Sequence, residues 1–303
     1  MTRPEAACAP LDPDNARTAL TEACAEVGLD DSGAELIRLG SNAIFRLRSA
    51  PVIVRVMRSV EQFADAGREV EVARWLGKSG IPAIRVTDDP QPLKAARRTV
   101  TLWVSVSDGV EYGTTSELGA ALRALHKLPA PRELELPGLT PFDRASSRIT
   151  DAATLSPSER DFLTERGIAL RSAHAGLKYA LPSGPIHGDA NVGNLLRDRN
   201  GKAVLSDLDD FATGPREWDL IQTAMYFERY GWHTEEEYTA FCASYGFDVM
   251  QWQGYGTLAD VKEYMMVTWL AQNARPGTKT ASELSRRVRT LRTGRGHREW
   301  KPF

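Results

Sequence analysis

The residue types best suited to chemistry lie in one short segment, His187-Gly188-Asp189-Ala190-Asn191-Val192-Gly193-Asn194, and at Asp207 further along the chain. Four residues separate Asp189 from Asn194, and Asp207 follows Asn194 by thirteen. Mg²⁺ takes oxygen ligands, which carboxylate and amide side chains supply, and a further carboxylate can accept a hydroxyl proton. Turn residues, including the hairpin signal Asn200-Gly201, separate short apolar runs here. The segment therefore predicts a loop and a hairpin that hold Asn194 and Asp207 as metal ligands and Asp189 as a general base.

Each of these residues also has an ordinary structural interpretation. Asp189 suits a turn, since Gly-Asp is common in loops, and Asn194 tolerates a left-handed turn after a glycine. Asp207, Asp209 and Asp210 form a like-charged cluster, which is costly unless solvent or a cation relieves it. We expect at least one of the three to bind metal, and we choose Asp207 by its position. Asp209 would then support the metal site, and Asp210 would be solvated or cap a helix.

The spacing from Asp189 to Asn194 is that of the protein-kinase catalytic loop. With it, the sequence resembles the aminoglycoside phosphotransferase family, which is similar to choline and homoserine kinases and, in fold, to protein kinases. The resemblance spans about residues 35–275 and is carried by further segments: Leu39–Leu47, Val52–Val56, Phe63–Gly80, Leu118-Gly119 with Leu125-His126, and Trp218-Asp219-Leu220.

The resemblance implies an α+β, two-lobed, protein-kinase-like fold. Residues 1–107 would form a small nucleotide-binding lobe with an antiparallel sheet, and residues 108–303 a larger, mainly helical lobe for catalysis and substrate binding. It implies a small-molecule kinase that uses Mg²⁺ and transfers the γ-phosphoryl group of ATP or GTP to a hydroxyl. Aminoglycosides, sugars and amino alcohols are all candidate acceptors, and whether the protein confers antibiotic resistance stays open.

The nucleotide loop departs from the protein-kinase pattern in two ways. It has one glycine, Gly40, so we expect Ser41 and Asn42 to donate to the nucleotide instead of a glycine-rich backbone. The third strand carries Arg55 where protein kinases carry lysine, and an arginine is a fixed fork rather than a point charge. An unpaired charge within the apolar run around Arg55 would be expensive, so we expect a phosphate and a glutamate to satisfy it.

The resemblance places the family's ion-pairing glutamate, the partner of Arg55, on Glu69 when counted back from Trp75-Leu76, with Glu71 two positions away as the alternative. Further along, the resemblance places the backbone of Val104 and Val106 against the nucleotide base. A plain core strand is the competing interpretation of that segment.

Three residues near the loop are expected to support it rather than react. His187 would fix the loop through its ring nitrogens, and Asp219 through hydrogen bonds to its backbone. His126 is expected to be a packed, hydrogen-bonded histidine on a helix face.

The elements needed to position these residues can be located by periodicity and turn residues. Helices are predicted over 14–27, 63–77 and 158–179, with further helices from residue 116 and after Pro215. Strands are predicted over 35–39, 44–47, 52–57, 84–87 and 99–106, the last two joined by a polar turn.

Composition excludes several classes of protein. The 303 residues include 42% hydrophobic and 26% charged side chains, which is ordinary for a globular protein. Because 38 basic residues balance 40 acidic ones, we expect no nucleic-acid partner. No run of about 18 apolar residues is free of charge, so no membrane span is expected. The N-terminal residues lack the apolar core of a signal peptide, which predicts a cytoplasmic protein. Cys8, Cys24 and Cys242 are expected to be free thiols.

Two alternatives belong to other functional classes. One is a nucleotide-binding pseudokinase that serves as an interaction module, although a dead site has no obvious need for Asp189, Asn194 and Asp207 together. The other is a metal hydrolase, which usually needs three protein ligands for zinc and would have to use scattered histidines. The sequence does not indicate an oligomeric state.

Overall fold

The structure is a computed structural model that describes residues 10–302. The chain packs into two compact units that alternate along the sequence. The first unit comprises the chain as far as Gly113 together with residues 131–135 and 192–211, and the second comprises residues 114–130, 136–191 and the chain from Ala212. The predicted lobe boundary at residue 107 stays a prediction.

The first unit is built on an antiparallel sheet with strand order β1-β2-β3-β5-β4. The strands are β1 Glu35–Leu39, β2 Ala43–Arg46, β3 Val52–Val56, β4 Leu93–Ala95 and β5 Arg98–Val104. In β3, Val52, Val54 and Val56 are buried while the residues between them are half-buried, as the two-residue period of a strand requires. Arg55 lies opposite Thr101 of β5.

Two helices of the first unit follow their sequence signals closely. Helix α1, Pro13–Val27, begins after the cap Asp12 and ends at Gly28, which has the left-handed φ of 72°. Helix α2, Phe63–Lys78, buries Glu69 along with its apolar positions. The core of the unit joins α1 to the sheet through buried apolar residues such as Leu20, Phe45, Val54 and Leu102.

The predicted strand 84–87 is wrong, and β4 lies in what was predicted to be a polar turn. Segment 84–87 meets β5 only through one isolated antiparallel bridge, in which Thr87 N–H donates to Leu102 and Val104 N–H donates to Arg85, while Ile84 N–H donates to Leu205, so no ladder of successive pairs forms. The turn between β4 and β5 consists of Ala96 and Arg97, both with positive φ. A turn of this kind is normally recognised by Asn-Gly or Gly-Gly. Because Ala-Arg stands here instead, the sequence does not predict the hairpin.

The first unit also contains the predicted hairpin that follows the reactive segment. Its strands are β7 Leu195–Arg197 and β8 Ala203–Leu205, and they pair antiparallel around Gly201, whose φ is 77°. The remaining strands are β6 Ser183–Ile186 and β9 Ala212–Pro215, which pair with each other in the second unit.

Helices dominate the second unit. They are α3 Thr115–Leu125, α4 Ala145–Asp151, α5 Pro157–Ala175, α6 Glu217–Glu228, α7 Glu235–Tyr245, α8 Tyr255–Asn273 and α9 Lys279–Thr293. Helix α5 begins at the predicted place but ends four residues early, where Gly176 follows Ala175. Helices α6 and α8 are buried over most of their length and carry the charged residues considered below.

Within residues 10–302, no helix has both the length and the apolar character needed to cross a membrane. Cys24 and Cys242 are free thiols, and Cys8 lies outside the described residues. Burial, with the charges of Asp31 and Asp30, raises the pKa of Cys24 to about 11.

Gly119 is required by close packing between α3 and α7. A Cβ at Gly119 would lie 2.6 Å from the carbonyl oxygen of Phe241, a backbone atom that cannot move alone. We expect Gly119→Ala to lower the free energy of unfolding by about 1–3 kcal/mol because the helices must separate. Gly77→Ala, on an open part of α2, is the matched control and should raise it by about 0.5–1 kcal/mol. Denaturant unfolding of both variants tests this; equal effects would contradict the packing argument.

Candidate active site

The loop His187-Gly188-Asp189 is held by a buried carboxylate in the first turn of α6. Asp219 is fully buried, and its two oxygens accept the backbone N–H groups of His187 (2.7 Å) and Gly188 (2.9 Å). This confirms the predicted role of Asp219. The ring of His187 is also buried, but its predicted contribution to the loop stays a prediction.

His126 completes the support of Asp219. Its Nε2 lies 3.0 Å from Asp219 Oδ2 and its Nδ1 lies 2.9 Å from the Tyr245 hydroxyl. A carboxylate can only accept, so Nε2 donates to Asp219, and Nδ1 forms the second hydrogen bond of the ring with the Tyr245 hydroxyl. His126 is therefore the packed, hydrogen-bonded histidine that was predicted. Burial alone would raise the pKa of Asp219, but His126 and the donors of the loop bring it below its ordinary value.

Gly188 supplies the sharp turn ahead of Asp189. Its φ of 87° lies in the left-handed region that favours glycine. Its carbonyl oxygen accepts from Trp218 Nε1 at 2.8 Å and from Lys262 Nζ at 3.3 Å. Both sides of this peptide segment are thus fixed by side chains of α6 and α8.

The side chain of Asp189 remains accessible while its backbone is held. It is 38% exposed, and its Oδ1 lies 3.7 Å from Lys262 Nζ. Burial, with the negative charge of Asp189, raises the pKa of Tyr226 of α6 to about 12, and the hydrogen bond from Gln222 opposes this. Sequence analysis missed Lys262 and Tyr226. For Lys262, the available signal is a lysine at helical spacing from the buried Leu258 and Ala259.

The phosphate-binding candidates of the first unit include a buried ion pair. Arg55 of β3 pairs with Glu69 of α2, whose side chain is 1% exposed, so Glu69 and not Glu71 is the partner. The Arg55 guanidinium also lies over the ring of Trp103, 5.2 Å from its centroid, and Nε donates to Thr101 at 3.4 Å. Burial raises the pKa of Glu69, and the charge of Arg55 opposes this. Arg55 is held in one orientation by these three neighbours.

The turn between β1 and β2 contains the candidate nucleotide loop. Gly40 N–H donates to the carbonyl of Asn42 at 3.0 Å, which closes the turn. Ser41 is exposed, and the Oδ1 atom of Asn42 is buried without a hydrogen-bond partner among the described residues. A buried amide oxygen in this condition is suited to a partner from outside the chain.

The candidate metal ligands Asn194 and Asp207 both lie in the first unit. Ser206 N–H donates to the carbonyl of Asn194 at 2.9 Å, which connects the beginning of the β7–β8 hairpin to the residue before Asp207. Asp207 has a left-handed φ of 58°, a conformation that aspartate adopts more readily than most residues other than glycine. Asp209 is exposed, and three other carboxylates act on it. Desolvation and the charges of Asp207, Asp210 and Glu69 raise its pKa to about 8.

This carboxylate cluster fits a divalent cation. Its oxygens are hard ligands, and its mutual repulsion is the kind that bound Mg²⁺ relieves. Mg²⁺ in kinases is held by one or two protein groups together with phosphate oxygens. Over residues 10–302, no group of three or more His, Cys, Asp or Glu side chains is arranged to hold a metal ion, so the hydrolase alternative has no such ligand set there.

Two backbone groups of the segment that is expected to contact the nucleotide base already form hydrogen bonds within the protein. Val104 N–H donates to the carbonyl of Arg85 at 2.7 Å, and the carbonyl of Val106 accepts from Arg199 N–H at 3.2 Å. A base could therefore meet the carbonyl of Val104 and the N–H of Val106.

Acidic residues that could attract a cationic acceptor lie together in the second unit. Glu228, Asp260 and Glu263 line a cavity of about 750 Å³. Arg229 Nη1 lies 2.9 Å from Asp260 and 2.7 Å from Glu263, so their charge is largely balanced within the protein. Asp248 lies elsewhere and accepts from the Tyr238 hydroxyl.

We expect the contribution of Asp219 to stability to depend on pH. A carboxyl group with a lowered folded-state pKa stabilises the fold above its unfolded pKa of about 3.9, and this contribution is lost as pH falls through the folded pKa. Asp219→Asn should therefore lower the free energy of unfolding at pH 7 by about 1–3 kcal/mol, with a smaller difference at pH 3.

Denaturant unfolding of wild type and Asp219→Asn between pH 3 and 7 measures this effect. Asp88→Asn, which changes an exposed loop aspartate, is the control and should follow wild type throughout. A deficit in Asp219→Asn that stays constant over the whole range would contradict the assignment.

The chain is similar to known proteins both in sequence and in fold. A sequence profile of the phosphotransferase enzyme family matches residues 35–260, whereas no curated protein matches. Among solved structures, the chain is similar to the amicoumacin kinase hAmiN in complex with AMP-PNP, Ca²⁺ and Ami (12% identity, 95% of this chain and 97% of that one, TM-score 0.71). It is also similar to a microcompartment-associated aminopropanol kinase (18% identity, 92% of this chain and 95% of that one, TM-score 0.68). A third similar structure is aminoglycoside phosphotransferase APH(3'')-Id from Streptomyces rimosus (20% identity, 81% of this chain and 97% of that one, TM-score 0.57).

These likenesses confirm the predicted α+β, two-lobed, protein-kinase-like fold, with an antiparallel sheet towards the N-terminus and helices towards the C-terminus. Because the family profile covers well over half of the 303 residues, the chain belongs to the phosphotransferase enzyme family and is a small-molecule kinase.

Proposed function

We propose that the protein transfers the γ-phosphoryl group of ATP to an alcohol group of a small hydroxylated acceptor, with Mg²⁺ as cofactor. The observation that carries this proposal is the state of Asp189. Its loop is fixed by the buried Asp219 and by Trp218, yet its carboxylate is 38% exposed. A rigidly held, accessible carboxylate is what a general base requires.

The reaction breaks one bond and forms one. The acceptor oxygen attacks the γ-phosphorus, the bond from that phosphorus to the β–γ bridging oxygen breaks, and ADP leaves. The proton of the acceptor hydroxyl passes to Asp189. Because phosphoryl transfer depends mainly on positioning and charge neutralisation, the other residues act by orienting groups.

Nucleotide binding is assigned to the first unit. Arg55, already oriented by Glu69 and Trp103, would donate to phosphate oxygens, and Ser41 and Asn42 would donate from the β1–β2 turn. The carbonyl of Val104 and the N–H of Val106 would pair with the donor and acceptor of an adenine edge. GTP carries the opposite pattern on that edge, which favours ATP.

The metal is assigned to Asn194 and Asp207. Each would supply one oxygen, and Asp209 would support them from the same short segment. When bound, Mg²⁺ neutralises charge on the phosphate oxygens.

The acceptor is proposed to be an aminoglycoside, a sugar or an amino alcohol. The carboxylates Glu228, Asp260 and Glu263 give little support to a strongly cationic acceptor, because Arg229 lies among them. Whether the protein acts in antibiotic resistance depends on which acceptor is used. A cytoplasmic location stays a prediction.

The test of this function begins with a screen of ATP consumption against aminoglycosides and hydroxylated metabolites. With the best acceptor, we expect Asp189→Asn to lower kcat by ~10²–10⁴-fold, because an amide cannot take the proton. ATP binding measured by calorimetry should be unchanged. Asp143→Asn, an exposed aspartate of the same unit, is the control and should keep full activity.

An Asp189→Asn variant within threefold of wild-type turnover would remove the general base from the proposal. A wild type that binds ATP tightly but transfers phosphate to no acceptor would favour the pseudokinase alternative.

The metal assignment has its own test. Asn194→Ala and Asp207→Ala should each raise the Mg²⁺ concentration for half-maximal turnover by at least ~10-fold, since even residues that only orient a metal ligand typically cost that much. Asp210→Ala, in the same cluster, is the matched control and should shift it by less than about twofold on the surface-charge argument. Unchanged Mg²⁺ dependence in both ligand variants would show that the metal is held elsewhere.

A further inference from the structure

Lys262 of α8 is a buried cation in contact with the loop. Its side chain is 7% exposed, far less than lysines usually are. A buried ammonium group is expensive unless nearby groups compensate its charge. The position therefore needs an explanation, and the kinase loop pattern does not include it.

Within residues 10–302, the groups that compensate the Lys262 ammonium belong to the loop or to α6, the helix that holds it. Nζ donates to the carbonyl of Gly188 at 3.3 Å, lies 4.8 Å from the centroid of the Trp218 ring, and lies 3.7 Å from Asp189 Oδ1. The ammonium thus approaches the Asp189 carboxylate from the buried side. The exposed part of that carboxylate remains available to an acceptor.

A purely structural role is the competing explanation, with Lys262 serving to satisfy the Gly188 carbonyl. That carbonyl already accepts a shorter hydrogen bond, 2.8 Å, from Trp218 Nε1. The contact that Trp218 cannot replace is the one between a positive charge and Asp189.

We propose that Lys262 is a positioning residue for Asp189, an inference that rests on the proposed function. It holds the partly exposed carboxylate in the orientation in which that carboxylate receives the acceptor proton. Its positive charge also balances Asp189 where negatively charged phosphate must approach, since two uncompensated anions would repel each other. The effect belongs to the transfer step and not to the binding of ATP.

The test compares substitutions that separate charge from hydrogen bonding. Lys262→Met removes both, Lys262→Gln keeps a donor for Gly188 but removes the charge, and Lys262→Arg keeps the charge. We expect Met and Gln to lower kcat by ~10²-fold with the KM for ATP unchanged, as for a misplaced reacting group. Lys262→Arg should recover at least ~10-fold of that loss, although its fork differs in shape.

Trp218→Phe is the matched control for the structural explanation. It removes the Nε1 donor to Gly188 and keeps an aromatic ring, so it should lower the melting temperature with a smaller loss of kcat than Lys262→Gln. Should Lys262→Met fail to fold, Lys262→Gln carries the same expectation.

Two results would overturn the inference alone. One is that the wild type is active and Lys262→Gln has a kcat within threefold of the wild-type value. The other is that Lys262→Gln and Trp218→Phe lower kcat and the melting temperature in the same proportion. A wild type that transfers no phosphate would overturn both this inference and the proposed function.

Discussion

The arrangement of the second unit's loop depends on one fully buried carboxylate, that of Asp219. Its two oxygens take consecutive backbone N–H groups, of His187 and Gly188, and His126 donates to it from another helix. Because the charge is compensated by several donors at once, it can be buried without being neutralised. Removing one donor would leave the buried carboxylate of Asp219 with an unsatisfied oxygen. Replacement of any donor is therefore expected to destabilise the loop. The loop is consequently held at its backbone by Asp219.

The first unit solves the opposite electrostatic problem. There the charges of Glu69, Asp209 and Asp207 act on the guanidinium of Arg55, and desolvation together with the charges of Asp207, Asp210 and Glu69 raises the pKa of Asp209. In the second unit the charge of Asp219 is compensated by its hydrogen-bond donors. A surplus of negative charge next to a fixed arginine is suited to a ligand that combines cation and phosphate. This is the physical basis for assigning Mg²⁺ and nucleotide to the first unit.

Sequence analysis located what local signals encode and missed what packing alone creates. The loop at Asp189, the hairpin at Asn200-Gly201 and the extent of α1 follow from short-range patterns, and the pairing of Arg55 with Glu69 follows from the family resemblance. The β4–β5 hairpin was missed because Ala96 and Arg97 give no turn signal. Lys262 was missed because its partners are 44 and more residues away in sequence, so nothing near it indicates that its helix face meets Trp218 and the loop.

The same comparison shows why the acceptor cannot be derived from the reactive segment. The contacts that hold the loop are made to its backbone and, from Lys262, to one oxygen of the Asp189 carboxylate, and none of these contacts is specific to an acceptor. They would be equally compatible with an aminoglycoside, a sugar or an amino alcohol. Selectivity would therefore come from other side chains. The charge of Asp189 acts on Tyr226, whose hydroxyl accepts from Gln222 Nε2 at 2.9 Å and whose ring contacts Tyr230 and Trp232. An acceptor that met these aromatic rings would be restricted in shape more than in charge, which agrees with the balanced charges around Arg229.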